Sequence, residues 1–192
     1  MRLGHLLFVL FLTILLAACG DKIEANMSEE IQDFEFTTQD NTQLSLQDLE
    51  GKWWLADFMY TNCTLVCPSM TSNMVKVQKK LKEEDLDVQI ISFSVDPNYD
   101  SPNVLKEYAI EYEADLSNWY FLTGYDFETI KDLSINSFQT MLQEGTPENE
   151  NDLIAHSTSF FLINPNGELI KKYDGMGTQQ VDEIIEDFKK VL

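Results

Sequence analysis

Apolar positions change period along this chain, and each change marks an element. Phe34 and Phe36, then Leu44 and Leu46, alternate with other residues on either side of Gln39-Asp40-Asn41-Thr42. Alternation around a polar tetrapeptide predicts a β-hairpin. Trp53 to Tyr60 is a nearly continuous apolar run, as in a strand buried on both faces. From Pro68 to Glu84 the spacing lengthens, so that Met70, Met74, Val77 and Leu81 fall on one helical face. Val88 to Val95 predicts a second core strand. Ser101 and Pro102 open a helix to about Ala114, the serine as N-cap and the proline at the first helical position. Trp119 to Leu122 predicts a short strand, and Phe127 to Phe138 a helix. Ser157 to Ile163 and Glu168 to Tyr173 form two strands around Asn164-Pro165-Asn166-Gly167. Thr178 to Leu192 is a final helix with Val181, Ile184, Ile185 and Phe188 as its stripe.

Strands alternating with helices, closed by a hairpin and a helix, predict an α/β fold. The expected architecture is a central mixed sheet flanked by helices, with an N-terminal β-hairpin. Cys63 and Cys67 fall between the first core strand and the helix after it. Thioredoxin-like folds keep their chemistry at that junction, and a thioredoxin-like fold is the expectation here.

The first residues carry a different signal. Leu6 to Leu16 is almost wholly apolar, behind a head whose one charge is Arg2. A spanning helix needs about 20 apolar residues, so this run has the length of a signal-peptide core. Leu16-Ala17-Ala18-Cys19-Gly20 follows and resembles a bacterial lipobox, in which the cysteine is diacylated and becomes the N-terminus. The expected organisation is a signal peptide over residues 1–18, a lipidated Cys19 and tether over 19–30, and one domain over 31–192. Two acyl chains anchor a protein stably without a basic patch. The expected location is the extracytoplasmic face of the cell membrane. Cleavage removes Arg2 and moves the formal net charge from −20 to −21. So acidic a chain does not seek nucleic acid; solubility is the plain reading of the charge, and attraction of a cation or basic partner the other.

Lipidation of Cys19 leaves Cys63 and Cys67 as an isolated pair. Outside the cell a structural disulfide is one reading. Yet cysteines four apart close a very small loop, which constrains the unfolded chain little. Chemistry is the stronger reason for the pair. Pro68 at the first helical position makes Cys67 the expected N-cap, where free N–H groups and the helix dipole favour its thiolate. A thiolate attacks disulfides and binds soft metals. The wider spacing than in thioredoxin lets both sulfurs face one small ion. His5 leaves with the signal peptide, so His156 is the one imidazole of the mature chain. It stands at the entrance of the Ser157 strand, which in this fold lies beside the strand leading to the cysteines. Oxidoreductases of the fold hold a cis-proline there, whereas Ala155-His156-Ser157 has none.

Cys63-Thr64-Leu65-Val66-Cys67-Pro68, Asp96-Pro97-Asn98-Tyr99-Asp100-Ser101-Pro102 and His156 before Phe160-Phe161-Leu162-Ile163 together resemble the SCO/SenC family, from about Phe34 onward. Asn164 stands where relatives often have Asp, a turn position that Asn serves as well. The resemblance implies copper, as Cu(I) or Cu(II), held by Cys63, Cys67 and His156. It also implies delivery to the dinuclear copper site of cytochrome c oxidase subunit II. Two thiolates and an imidazole suit copper, and three donors leave the site more open than the four of structural zinc. Asp96 and Asp100 match the family's aspartates and are candidate second-layer groups. Met59, Met70 and Met74 offer thioethers, though core packing explains the latter two. Asp57 is unusual inside a buried strand, where an isolated carboxylate is costly. Glu144, Glu148, Glu150 and Asp152 form an acidic loop before His156, either solvated or steering a partner.

Two other functions compete with a chaperone that has no turnover of its own. One is a thiol–disulfide oxidoreductase that reduces the cysteines of the oxidase site, served in turn by a thiol reductant protein. The other is a thiol peroxidase, which needs an arginine beside its cysteine; Arg2 is the one arginine in the chain, which removes that class.

Overall fold

A computed structural model describes residues 23–145 and 154–192. Its eight strands are β1 (Glu29–Glu30), β2 (Glu35–Thr38), β3 (Gln43–Ser45), β4 (Trp53–Met59), β5 (Val88–Ser94), β6 (Trp119–Thr123), β7 (Ser159–Ile163) and β8 (Glu168–Asp174). The helices are α1 (Cys67–Glu83), α2 (Pro102–Glu111), α3 (Phe127–Asn136) and α4 (Thr178–Phe188). One sheet runs in the order β1-β8-β7-β4-β5-β6-β2-β3. β4, β5 and β6 are parallel, and every other pairing is antiparallel. This is the mixed thioredoxin-like sheet that the alternating elements predict.

The topology sets where chemistry can occur. β4 pairs in parallel with β5 along its whole length, from Trp53 opposite Val88 to Met59 opposite Ser94. Six of its seven residues are buried, as a continuous apolar run demands. β7 runs antiparallel on its other side, with Ala56 opposite Phe161. The C-terminal end of β4, which leads to the cysteines, therefore meets the start of β7, which follows His156. Ligands of open α/β sheets collect at such carboxyl ends. Phe58, Phe93, Phe138 and Phe161 interlock with ring centroids 5.1–6.1 Å apart. One stacked and four edge-to-face pairs give the strands beneath the site a rigid base.

The predicted hairpin forms, with Phe36 opposite Leu44, and β2 also pairs with β6. Several boundaries move. α1 begins at Cys67 rather than Pro68, with Val66 as N-cap. α2 stops at Glu111 instead of reaching Ala114, because Glu113 turns left-handed at φ 59°. The tether expected over 19–30 is shorter at its far end. Asn26 and Met27 donate backbone N–H groups to Ile170 O, and Glu29–Glu30 form β1 against β8. Residues 23–30 thus belong to the folded unit. The signal peptide, Cys19, Glu148, Glu150 and Asp152 lie outside the described residues.

Candidate metal centre

Three side chains converge at the carboxyl end of β4. The thiols of Cys63 and Cys67 and a ring nitrogen of His156 all lie within 4.8 Å of one another. Among the described residues this is the one group of three His, Cys, Asp or Glu side chains within ligating reach. Cys63 sits in the loop after β4, its N–H donating to Tyr60 O at 3.3 Å. Cys67 is the first residue of α1, so the helix axis fixes its direction. The Cys67 N–H points back at Cys63 Sγ, 3.5 Å away. Both sulfurs are free thiols.

His156 is held in one tautomer. Its Nδ1 lies 2.9 Å from Ser157 O. A carbonyl oxygen only accepts, so Nδ1 carries the proton and Nε2 keeps its lone pair. That lone pair faces Cys67 Sγ at 3.3 Å. Burial lowers the imidazole pKa below its ordinary 6.5, which keeps the ring neutral and ready to ligate at neutral pH. Tyr60 stands edge-on to the ring, centroids 5.7 Å apart, and limits its swing.

The electrostatics reverse the thiolate expected from sequence. Cys63, not Cys67, is the more acidic thiol. Burial opposes the Cys63 thiolate, but hydrogen bonds from Cys67 and from the N–H groups of Leu65, Val66 and Cys67 outweigh it and lower its pKa. Burial, with the neighbouring Cys63, drives the Cys67 thiol well above its ordinary value. The reason is geometric. The free N–H groups of the helix start converge on the sulfur lying ahead of the first turn, and that sulfur is Cys63.

The two aspartates separate in role. Neither joins the three-donor group. Asp96 contributes its main-chain oxygen, which accepts from the N–H groups of Tyr99 and Asp100. Asp100 is fully buried and accepts from Ser94 Oγ at 2.6 Å and from both the N–H and hydroxyl of Thr61. It pins the chain two residues before Cys63 to the end of β5. A contact spanning 39 residues leaves no local signal in the sequence. Met59, Met70 and Met74 are buried in the core. Glu144 is exposed. Asp57 is fully buried in β4 and accepts from Ser92 Oγ at 2.6 Å. Ser92 in turn accepts from Trp119 Nε1 at 2.9 Å.

The SCO1/SenC family profile matches residues 23–192. This chain belongs to that family. It is 44% identical over 177 residues to the SCO1 protein homolog of Bacillus subtilis, covering 92% of this chain and 90% of that protein. Among solved structures, a SCO1/SenC family lipoprotein from Bacillus anthracis superposes with a TM-score of 0.81 at 44% identity, covering 87% of this chain and 98% of that one. BsSco, a member of the Sco family of cytochrome c oxidase assembly proteins in which a disulfide switch was identified, gives 0.80 at 42%, with 88% and 97% covered. Copper-bound yeast Sco1 gives 0.69 at 25%, with 85% and 91% covered. The SCO1/SenC chain therefore carries its cysteine pair and histidine on a shared scaffold. Two soft sulfurs and one borderline nitrogen, joined by no further His, Cys, Asp or Glu among the described residues, make a set that fits copper.

Proposed function

We propose that this SCO1/SenC chain is a copper metallochaperone. It binds copper through Cys63, Cys67 and His156 and delivers it to the dinuclear copper site of cytochrome c oxidase subunit II. The observation that carries this reading is the three-donor cluster with His156 locked to present Nε2. A pure disulfide exchange needs two sulfurs and access to them, and has no use for an oriented imidazole. The copper-bound relative and the oxidase-assembly role of the Sco family support the same reading. Copper is the cargo: a three-donor site leaves room for an incoming ligand from the acceptor, so transfer proceeds by ligand exchange.

The second reading is reduction of the cysteines of the oxidase site. It rests on the lowered pKa of Cys63 beside a second thiol, the arrangement of an attacking cysteine and its resolving partner. His156→Ala separates the two. The variant is expected to keep forming and breaking the Cys63–Cys67 disulfide, to lose most Cu(II) affinity, and to fail in oxidase assembly unless copper is added. Full assembly with an unchanged sulfur-to-copper absorption band would transfer the function to thiol chemistry.

We further propose that Cys19 is diacylated and holds the domain at the extracytoplasmic face of the cell membrane. The apolar run and small residues before Cys19 support this, as does the lipoprotein nature of the Bacillus anthracis relative. Cys19→Ala is expected to leave an unprocessed precursor or to release the domain on fractionation. Processed Cys19→Ala protein that stays with the membrane contradicts the anchor.

A further inference from the structure

Tyr60 joins the two chain segments that build the metal centre. It follows β4 directly, and its main-chain oxygen accepts the Cys63 N–H at 3.3 Å. That bond closes a tight turn, so that residues 60 and 63 stand side by side. The Tyr60 side chain is only 4% exposed. Its ring meets the His156 ring edge-on, at an interplanar angle of 82°. Its hydroxyl is within hydrogen-bonding reach of Cys63 Sγ and of the Ile154 N–H, just ahead of His156. One side chain thus bears on a sulfur ligand, on the imidazole and on the segment that carries the imidazole.

A phenylalanine would pack the same ring against His156 and bring no polar atom to satisfy. The hydroxyl therefore has its own consequence. An amide N–H only donates, so the phenol oxygen accepts from Ile154 and the phenol hydrogen is left for the Cys63 sulfur. Burial, and then the neighbouring cysteines, raise the phenol above its ordinary pKa of 10, so the hydrogen stays on the oxygen. A donor aimed at a ligating sulfur draws charge from it. Cu(II) depends on charge given by a thiolate more than Cu(I) does, and hydrogen bonding around a cysteine sulfur tunes copper potentials for that reason.

We propose that Tyr60 is a positioning residue that sets the oxidation-state preference of the metal centre, favouring Cu(I) through a hydrogen bond from its phenol to Cys63. This rests on the copper-binding reading of the same site. The reduced full chain and its Tyr60→Phe variant are each titrated with Cu(I) and with Cu(II), and the sulfur-to-copper absorption band is recorded. The variant keeps the ring and loses one hydroxyl, so it is expected to bind one copper as the wild type does. Its Cu(II)-to-Cu(I) affinity ratio is expected to rise about tenfold, the scale of one hydrogen bond to a charged group. The band is expected to move to longer wavelength, because a sulfur relieved of its donor gives up an electron more readily. An unchanged ratio with an unchanged band would overturn the proposal. Equal loss of affinity for both ions would also overturn it, since Tyr60 would then only pack the ring of His156. A wild-type chain that binds neither ion would remove the copper reading and this proposal with it, whereas normal wild-type binding beside an unaltered variant removes this proposal alone.

Discussion

Cys63→Ser and Cys67→Ser are each expected to abolish tight copper binding by the SCO1/SenC domain. The three donors lie within 4.8 Å of one another, so one ion can engage all of them. Structural metal sites of four ligands hold their ion with roughly 10–16 kcal/mol, which is about 2.5–4 kcal/mol per ligand. Loss of one thiolate then weakens binding by roughly a hundredfold or more, since about 1.4 kcal/mol is tenfold. Serine is close in size to cysteine but its hydroxyl is a hard, protonated donor, so it does not substitute. His156→Ala is expected to do less to Cu(I), which two sulfurs still hold, and more to Cu(II), which prefers imidazole. Titration of the reduced domain with each copper ion reads all of this. The two thiols also predict how many protons leave. Cys67 stays a thiol at neutral pH, so copper uptake there releases its proton. A cysteine variant that keeps wild-type affinity removes that residue from the site.

Asp57→Asn is expected to change how stability responds to pH. Burial raises the Asp57 carboxyl from 3.8 to about 7, against the Ser92 hydrogen bond that lowers it. In the window between those values the folded chain keeps a proton that the unfolded chain has lost. Stability therefore falls as pH rises from about 4 to about 7, and the deficit stays above that range. Three pH units correspond to roughly 4 kcal/mol, an upper figure for one carboxyl in a relaxing protein. Asparagine has no charge to lose, so the variant should lack this slope. It still accepts from Ser92, although its amide brings a buried donor that costs some stability at every pH. Urea unfolding of the reduced apo domain at pH 5 and pH 8 measures the difference. Identical slopes in wild type and variant would show that Asp57 is already ionised without penalty.

Much of this architecture is legible in the sequence, because burial writes periodic patterns. The β4 run is apolar at nearly every residue because two strands and two layers enclose it. The hairpin shows because one face of β2 and β3 is buried and the other is not. The cysteine pair and His156 are legible through their chemistry and their places at strand ends. β1 escapes notice because two residues cannot show a period. The more acidic thiol lies four residues ahead of the expected one, since the N–H groups around the helix start point at Cys63 rather than at the first helical residue. The Asp100–Thr61 clamp and the Ser92–Trp119 support of Asp57 join residues 39, 35 and 27 positions apart. Such bonds depend on the register of β4, β5 and β6, which no single segment encodes.

Cys67 and His156 stand 89 residues apart in the chain yet 3.3 Å apart in the fold. An ion shared between them is a removable cross-link over that span. Closing so long a loop costs an unfolded chain a large loss of freedom, which folding has already met through the pairing of β4 with β7. The full donor set consequently exists only while those two strands remain zipped. A loaded domain should melt at a higher temperature than an empty one, and any fraying at the start of β7 should loosen the ion's grip before the rest of the sheet opens. The metal would thus act as a clasp whose hold reports the integrity of one strand junction.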